Sequence, residues 1–267
     1  MQIDLDYSFD PTSRYGHGKP PHPDLYALLN AHRDRYARRL AEFTGFAADL
    51  AEIPVDPPAE GYSGPFWANE FFPGFDAFSL YGFLATDKPR TYLEIGSGNS
   101  TKFASHAIRK RNLATRIISI DPSPRAEIDA LCSEVIRQPL ETVDLRIFEN
   151  LTEESVVFFD GSHRCFMGSD ATVFFLEVLP RLRPGVLIHI HDIFLPEDYW
   201  PAWKDRFYSE QYLLAAWLLG GSKGLQIELP VAFVTTDAEL SAIPGGVLEK
   251  ISPKVGRHGG SFWMRRI

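Results

Sequence analysis

The pattern of apolar positions changes along the chain near residue 91. From there on, short apolar runs alternate with stretches in which apolar residues recur at helical spacing. The runs are TYLEI (91–95), RIISI (116–120), SVVFF (155–159) and VLIHI (186–190). Strands that alternate with helices predict a parallel sheet with helices on both of its faces.

Helical periodicity and capping residues place the elements between these runs. The predicted helices cover 99–110, 126–135, 170–182 and 210–219, and a weak third strand is expected at 143–148. Near the carboxyl end, the runs within 225–235 and 261–266 have the pattern of strands with no helix between them. These closing strands predict an antiparallel hairpin at one edge of the sheet.

The part of the chain before residue 91 has a different organisation. Residues 1–23 show no period and are expected to form an irregular arm, whereas 24–50 carry the apolar stripe of an amphipathic helix. A linker rich in Pro and Gly at 54–66 is the best candidate boundary. We therefore expect an amino-terminal arm and helix over 1–60 and an α/β domain over 61–267.

An aromatic segment follows this linker. Trp67, Phe71, Phe72 and Phe75 lie in a stretch that has no regular period. Two interpretations stay open: core packing, or a cover over a ligand pocket, because such pockets are lined by apolar and aromatic side chains.

Composition narrows the class of protein. Of the 267 residues, 45% are apolar and 23% are charged, which is typical of a globular protein with a full-sized core. The formal net charge of −8 argues against general nucleic-acid binding, which needs a basic face. Cys132 and Cys165 alone build neither a disulfide framework nor a cysteine zinc site. The polar amino terminus does not resemble a signal peptide, and no apolar run approaches the roughly 18 residues of a membrane span, so we expect a cytoplasmic protein.

Acids and histidines follow the predicted strands. The four strand ends carry Glu94 to Ser100 (EIGSGNS), Asp121-Pro122, Asp160 to His163 (DGSH) and His191-Asp192. In a doubly wound sheet, ligands bind beyond the carboxyl ends of the strands, so these residues are the candidate site.

A glycine loop joins the first of these strands to its helix. Gly96 and Gly98 allow a tight turn and a close approach of the backbone to a ligand. Thr101 stands where a dinucleotide fingerprint has its third glycine, which disfavours a nicotinamide enzyme. Asp121 ends the next strand, where a carboxylate can accept both hydroxyls of a ribose.

These motifs in order resemble class I S-adenosylmethionine-dependent methyltransferases. YLEIGSGNSTKFA, IISIDPSPR, VVFFDGSHR, GVLIHIHDIFLPEDYW, SEQYLLAAWLL and GGSFWMRR are similar to a bacterial family with a DGSH signature, related to O-methyltransferases that modify antibiotics and sugars. The resemblance covers residues 61–267 and implies a Rossmann-like sheet of seven strands. It implies a site for S-adenosylmethionine formed by Glu94, Gly96, Ser97, Gly98, Ser100, Asp121, Pro122 and Asp160.

Some relatives of the family that this chain resembles bind a metal ion, and the resemblance implies which residues would bind one here. The ligands would be Asp160, His191 and Asp192, with histidine at a position where relatives usually have an acid. Imidazole disfavours Mg and favours Mn, Zn, Fe or Ni. The alternative is a hydrogen-bonded network without metal. Two roles stay open for His163: a general base, or a buried histidine that only braces the DGSH loop. Asp160 is the second candidate catalytic residue.

The expected function is methyl transfer from S-adenosylmethionine to a hydroxyl oxygen of a small molecule, with a divalent metal as an open element. Two alternatives remain: a metal-independent N-methyltransferase, and a protein that binds S-adenosylmethionine without transferring its methyl group. The expected partner is a small-molecule substrate, with neither nucleic acid nor membrane. The sequence leaves both the acceptor and the formation of a homo-oligomer open.

Overall fold

A computed structural model describes residues 6–267 of the chain, and in that part seven strands form one sheet. The strands are β1 (Thr91–Ile95), β2 (Arg116–Ile120), β3 (Glu134–Ile136), β4 (Ser155–Phe159), β5 (Leu187–Ile190), β6 (Leu225–Pro230) and β7 (Phe262–Arg266). Their order is β3-β2-β1-β4-β5-β7-β6. The first five strands are parallel, and β7 is antiparallel to both β5 and β6. The predicted α/β sheet of seven strands, mostly parallel with an antiparallel pair at its edge, is confirmed.

Ten α-helices surround this sheet in the described residues. They are α1 (Pro23–Asn30), α2 (Arg33–Phe43), α3 (Ala47–Leu50), α4 (Gly74–Asp87), α5 (Asn99–Lys110), α6 (Arg146–Glu149), α7 (Asp170–Val173), α8 (Glu210–Leu219), α9 (Val231–Thr236) and α10 (Ala238–Ile251). A π-helical turn at Phe174–Val178 and a 3₁₀ turn at Leu179–Arg181 continue α7, so the predicted helix over 170–182 keeps its length.

The region between β2 and β4 departs from the sequence prediction. The helix predicted at 126–135 is wrong, because the chain forms only a 3₁₀ turn at Asp129–Leu131 and then β3. The strand predicted at 143–148 is also wrong, since that stretch contains α6. β3 lies at the sheet edge and has no fully buried residue, so it needs few apolar side chains and leaves a weak pattern.

The carboxyl end shows a second departure. The prediction of closing strands with no helix between them is wrong, because α9 and α10 separate β6 from β7. The run VAFVTT looks like a strand but follows Pro230 as a buried helix. Asp237 then caps α10 by accepting hydrogen bonds from the amides of Glu239 and Leu240. Pro244 and two glycines inside α10 obscure its helical period.

The predicted amino-terminal helix is divided into α1, α2 and α3. Tyr36, Leu40 and Phe43 on α2 are buried, and the ring of Phe43 packs edge-on against Phe78 and Phe83 of α4. These rings belong to the hydrophobic core that also holds the strands. Within residues 6–267, no helix is both long enough and apolar enough to cross a membrane.

Candidate active site

A cavity of about 620 Å³ lies at the carboxyl ends of β1, β2 and β4. Seven of the eight residues predicted to bind the cofactor line it: Gly96, Ser97, Gly98, Ser100, Asp121, Pro122 and Asp160. Phe66, Phe71, Phe72, Asn99, Leu140 and Glu141 also line it, and the sequence did not single out Phe66, Leu140 or Glu141. We call this space the donor cavity.

The glycine loop forms one wall of the donor cavity. Gly96 has a φ of +78°, and a β-carbon there would overlap the carbonyl oxygen of Asp160. The amide of Gly98 donates to the hydroxyl of Thr101 at 3.0 Å, so Thr101 closes the start of α5. A β-carbon on Gly98 would meet no atom within 4 Å. At Gly96 the loop packs against the residue that follows β4, and at Gly98 it leaves open space.

Glu94 lies beneath this loop rather than in the cavity wall. Its carboxylate is fully buried and accepts hydrogen bonds from the hydroxyls of Tyr92, at 2.9 Å, and Thr101. Burial raises the pKa of Glu94 to about 7, against the opposing effect of these hydrogen bonds. In the structure Glu94 braces the loop from behind.

Asp121 holds the loop after β2 against the glycine loop. Its Oδ2 accepts from the amide of Ser97 at 2.7 Å, and its Oδ1 accepts from the amide of Ser123 at 2.7 Å. Each carboxylate oxygen has a second lone pair, so Asp121 can still accept hydrogen bonds from a ligand in the donor cavity.

A second cavity of about 860 Å³ adjoins the first. Phe71, Arg125 and Asp160 line both cavities. The rest of its wall includes Trp67, Asp76, His163, His191, Asp192, Phe194, Trp200, Trp203, Arg206, Tyr208 and Lys254. We call this space the acceptor cavity.

The aromatic segment after the linker serves both of the roles left open by its sequence. Trp67, Phe72 and Phe75 are buried, and Trp67 and Phe72 pack against Phe103 of α5. Phe71 is 56% exposed and borders both cavities. The segment is thus partly core and partly cavity wall.

His163 lines the acceptor cavity next to Asp160, which borders both cavities. Its Nδ1 is 2.7 Å from Oε1 of Glu210, the first residue of α8. Its Nε2 lies 3.3 Å from Oδ1 of Asp160 and 3.6 Å from Oδ2 of Asp192. The amide of Ser209 donates to the carbonyl of His163 at 2.8 Å, which fixes the DGSH loop on the start of α8.

His191 has a similar arrangement on the next strand. Its Nε2 is 3.1 Å from Oδ2 of Asp76, and its Nδ1 is 3.6 Å from an oxygen of Asp160 and of Asp192. Asp76 also accepts hydrogen bonds from the amides of Gly260 and Ser261. Each histidine is therefore held between a fully buried carboxylate behind it and the two strand-end acids in front.

The charged groups in this cluster shift one another's pKa values. Burial disfavours the cationic rings, but the surrounding carboxylates raise the pKa of His163 and of His191 well above the usual histidine range. Burial also disfavours the charge of Asp160, but the facing histidines hold the pKa of that carboxyl well below its usual range. For Asp192 burial prevails, and its pKa is raised.

The residues predicted to bind metal do come together at the strand ends. However, no group of three or more His, Cys, Asp or Glu side chains in residues 6–267 is arranged to hold a metal ion. The carboxylate oxygens and ring nitrogens that would bind a metal at Asp160, His191 and Asp192 instead form ion pairs with one another and with His163. The arrangement fits a network of ion pairs, and the metal site stays a prediction.

Two important members of the cluster were absent from the sequence prediction. Asp76 is the one acid in GFDAFSLYGFLA, a helical stretch whose residues are all buried, and an acid there signals a structural or functional partner. Glu210 has the sequence position of an ordinary acid in the first turn of a helix. Only the fold shows that it contacts His163.

Comparison with known proteins gives a family match over the centre of the chain. Residues 93–193, from β1 to just past β5, match the model of a family described as a methyltransferase domain. An uncharacterized protein of Archaeoglobus fulgidus is 32% identical over 122 residues, which are 43% of this chain and 55% of that protein. The chain thus spans little more than half the length of that relative.

Solved structures give more distant similarities. The SAH-bound methyltransferase PaMTH1 of Podospora anserina is similar over 72% of this chain and 77% of its own, with 15% identity and a TM-score of 0.42. An O-methyltransferase of Bacillus cereus in complex with SAH is similar over 86% of this chain and 90% of its own, with 18% identity and a TM-score of 0.36.

Proposed function

We propose that this protein transfers a methyl group from S-adenosylmethionine to a hydroxyl oxygen of a small molecule. One observation carries the proposal: two cavities, of about 620 and 860 Å³, meet at the carboxylate of Asp160. Transfer between two small molecules needs two binding spaces whose reacting ends touch. The match of residues 93–193 to a methyltransferase domain supports the reaction type.

The donor cavity has the chemistry that S-adenosylmethionine needs. The open space at Gly98 admits a ligand close to the backbone, and Asp121 offers lone pairs to a ribose. The carboxylate of Asp160 would face the positive sulfur. When bound, this donor supplies an electrophilic methyl group.

The acceptor hydroxyl would lie at the junction, next to His163 and Asp160. In its neutral form, His163 can take the hydroxyl proton at Nε2, because Glu210 holds the opposite side of the ring at Nδ1. The resulting imidazolium would be stabilised by Glu210 and Asp160, both of which favour the charged ring.

The raised pKa of His163 favours the protonated ring when no ligand is bound. A positive sulfonium next to Asp160 would oppose that effect and lower the pKa of His163, since like charges disfavour each other. Donor binding would thus prepare the base. No step of this proposal uses a metal ion.

The proposal is tested first by cofactor binding. Calorimetry should show binding of S-adenosylmethionine and S-adenosylhomocysteine but not of NAD. Asp121→Asn should weaken S-adenosylmethionine by about 10- to 100-fold, the effect of losing hydrogen bonds to a charged group. The matched control is Asp144→Asn, because Asp144 is an exposed carboxylate that pairs with Arg146 and does not line the donor cavity. Binding of NAD in preference to S-adenosylmethionine would reject the proposal.

Methyl transfer itself is tested with labelled donor and a panel of small hydroxyl and amine compounds. Label on a hydroxyl oxygen is the expected result, and label only on nitrogen would favour the N-methyltransferase. The protein could also bind the donor and transfer no label, either to the compounds of the panel or to any component of a water-soluble cell extract. That result would favour a protein that binds S-adenosylmethionine without transferring its methyl group.

A further inference from the structure

The acceptor cavity has two chemically different ends. Its buried end holds the two histidines, which are 5% and 4% exposed, together with Asp160 and Asp192. Its exposed part carries three cations, Arg125, Arg206 and Lys254, together with one acid, Glu70. A ligand that fills the cavity would therefore have one end at the reaction centre and the other between cations.

Arg206 has no acidic partner among the described residues. Its guanidinium lies over the ring of Trp203, at 4.2 Å from the centroid, and 5.6 Å from the centroid of Tyr208. Lys204, on the same 3₁₀ turn, has an acidic partner, because its Nζ lies 2.7 Å from Oδ1 of Asp10. Lys204 does not line the cavity. The chain as a whole is acidic, with a net charge of −8. An arginine held by aromatic rings at a cavity mouth and not neutralised by an acid is suited to bind an anion.

The wall between the two ends is aromatic. Phe194 stands nearly perpendicular to Trp200, at 86° and 6.5 Å, and to Trp203, at 82° and 5.5 Å. Perpendicular rings present both faces and edges, which suits contact with a flat aromatic ligand. Arg206 continues this wall to the mouth because its guanidinium lies on Trp203.

We propose that the acceptor is a planar aromatic hydroxy compound that carries an anionic group, such as a carboxylate or a phosphate. Its hydroxyl lies at His163 and Asp160, its ring lies along the aromatic wall, and its anion lies at Arg206 with Lys254 nearby. This inference rests on the proposed function, because that function makes the buried end of the cavity the reaction centre. Recognition of the anion by Arg206 does not depend on methyl transfer.

The test uses three compounds that differ in one group: 3-hydroxybenzoate, its neutral methyl ester and 3-hydroxyphenyl phosphate. Calorimetry on the full chain, with S-adenosylhomocysteine present, should show that at least one anion binds 10-fold or more tightly than the ester, as expected for a hydrogen-bonded charge pair. The stronger of the two anions identifies the group. Equal affinity for the ester and both anions would overturn the inference.

Variants then locate the anion. Arg206→Gln should weaken the preferred anion by about 10- to 100-fold and leave the ester unchanged. Lys254→Gln should also weaken the binding of the preferred anion, but by a smaller factor, because the Lys254 ammonium already pairs with Asp56 at 3.4 Å. Arg257→Gln is the matched control, since this nearby arginine faces Glu249 and does not line the cavity. An equal loss in the Arg257 and Arg206 variants would overturn the assignment.

The two proposals fail separately. Absence of S-adenosylmethionine binding would reject the methyltransferase proposal, while the anion preference and its loss in Arg206→Gln would still support an anionic aromatic ligand. Methyl transfer to a neutral compound, with no anion preference and no effect of Arg206→Gln, would reject only the acceptor class.

Discussion

Oε1 of Glu210 lies 2.7 Å from Nδ1 of His163, and both side chains are buried. The contact joins the start of α8 to the loop after β4. It orients the ring, so that Nε2 faces the junction of the two cavities. Burial raises the pKa of Glu210, but the charge of His163 opposes that effect. We interpret Glu210 as a positioning residue for His163.

Glu210→Gln should therefore lower kcat by about 10-fold or more, the effect of losing a charged hydrogen bond, and leave the affinity for S-adenosylmethionine unchanged. Steady-state kinetics and donor titration measure the two effects separately. Glu228→Gln is the control, because Glu228 is also buried but pairs with Arg39 and Arg265 away from the cavities. A kcat that falls equally in both variants would mean that Glu210 has only a structural role.

Stability should fall as the pH rises toward and through 7, because of Glu94. Its pKa is about 7 in the folded protein and near 4.5 when exposed, so the folded state holds a proton that the unfolded state has lost between these values. Unfolding thus releases a proton in this window, and each added pH unit favours the unfolded state. The shift corresponds to at most about 3 kcal/mol.

Thermal denaturation of the wild type and of Glu94→Gln between pH 5 and pH 8 checks this prediction. The amide has no proton to lose, so the variant should show a smaller decrease in Tm across the window. Parallel curves for the two proteins would show that Glu94 does not titrate there.

The two glycines of the loop should respond differently to a β-carbon. Gly96→Ala forces a left-handed residue against the carbonyl of Asp160, and we expect a loss of about 2–4 kcal/mol of folding free energy. Gly98→Ala meets no neighbouring atom, so its stability should be close to the wild type. Its β-carbon would enter the donor cavity and weaken S-adenosylmethionine. Denaturant melts and calorimetry measure both, and equal donor affinity in Gly98→Ala and the wild type would place the ligand away from the loop.

The strands that hold the site were predictable because each is a compact apolar run ended by a polar residue. Asp121 and Asp160 follow β2 and β4 at the expected positions, and the topology of a parallel sheet places such residues at one edge. β3 and α10 were missed for physical reasons: an edge strand needs little apolar surface, and Pro244 interrupts the helical pattern.

The partners of the histidines could not be predicted from local patterns. Asp76 is 115 residues from His191, and Glu210 is 47 residues from His163. Both contacts depend on how α4 and α8 pack against the carboxyl ends of the strands. A sequence pattern reports the burial of a face, but it does not report which buried groups meet.

Chelation of divalent ions should leave turnover in place. Asp160 and Asp192 face the ring nitrogens of His163 and His191, so the cationic ring of His191, and that of His163 before the donor binds, offset the charge that a metal would otherwise balance. We expect the same rate with EDTA as without it. The control adds Mn²⁺, Zn²⁺ or Mg²⁺ to the treated enzyme, which should not raise the rate.

The opposite result would be equally informative about these residues. A rate lost in EDTA and restored by Mn²⁺ or Zn²⁺ more readily than by Mg²⁺ would assign Asp160, His191 and Asp192 to an ion, because imidazole nitrogen favours those metals. Asp192→Asn should then lose activity too, since an amide keeps the size but not the charge that binds the cation. Without a metal, the same variant should keep most of its activity, because His163 retains the charges of Glu210 and Asp160.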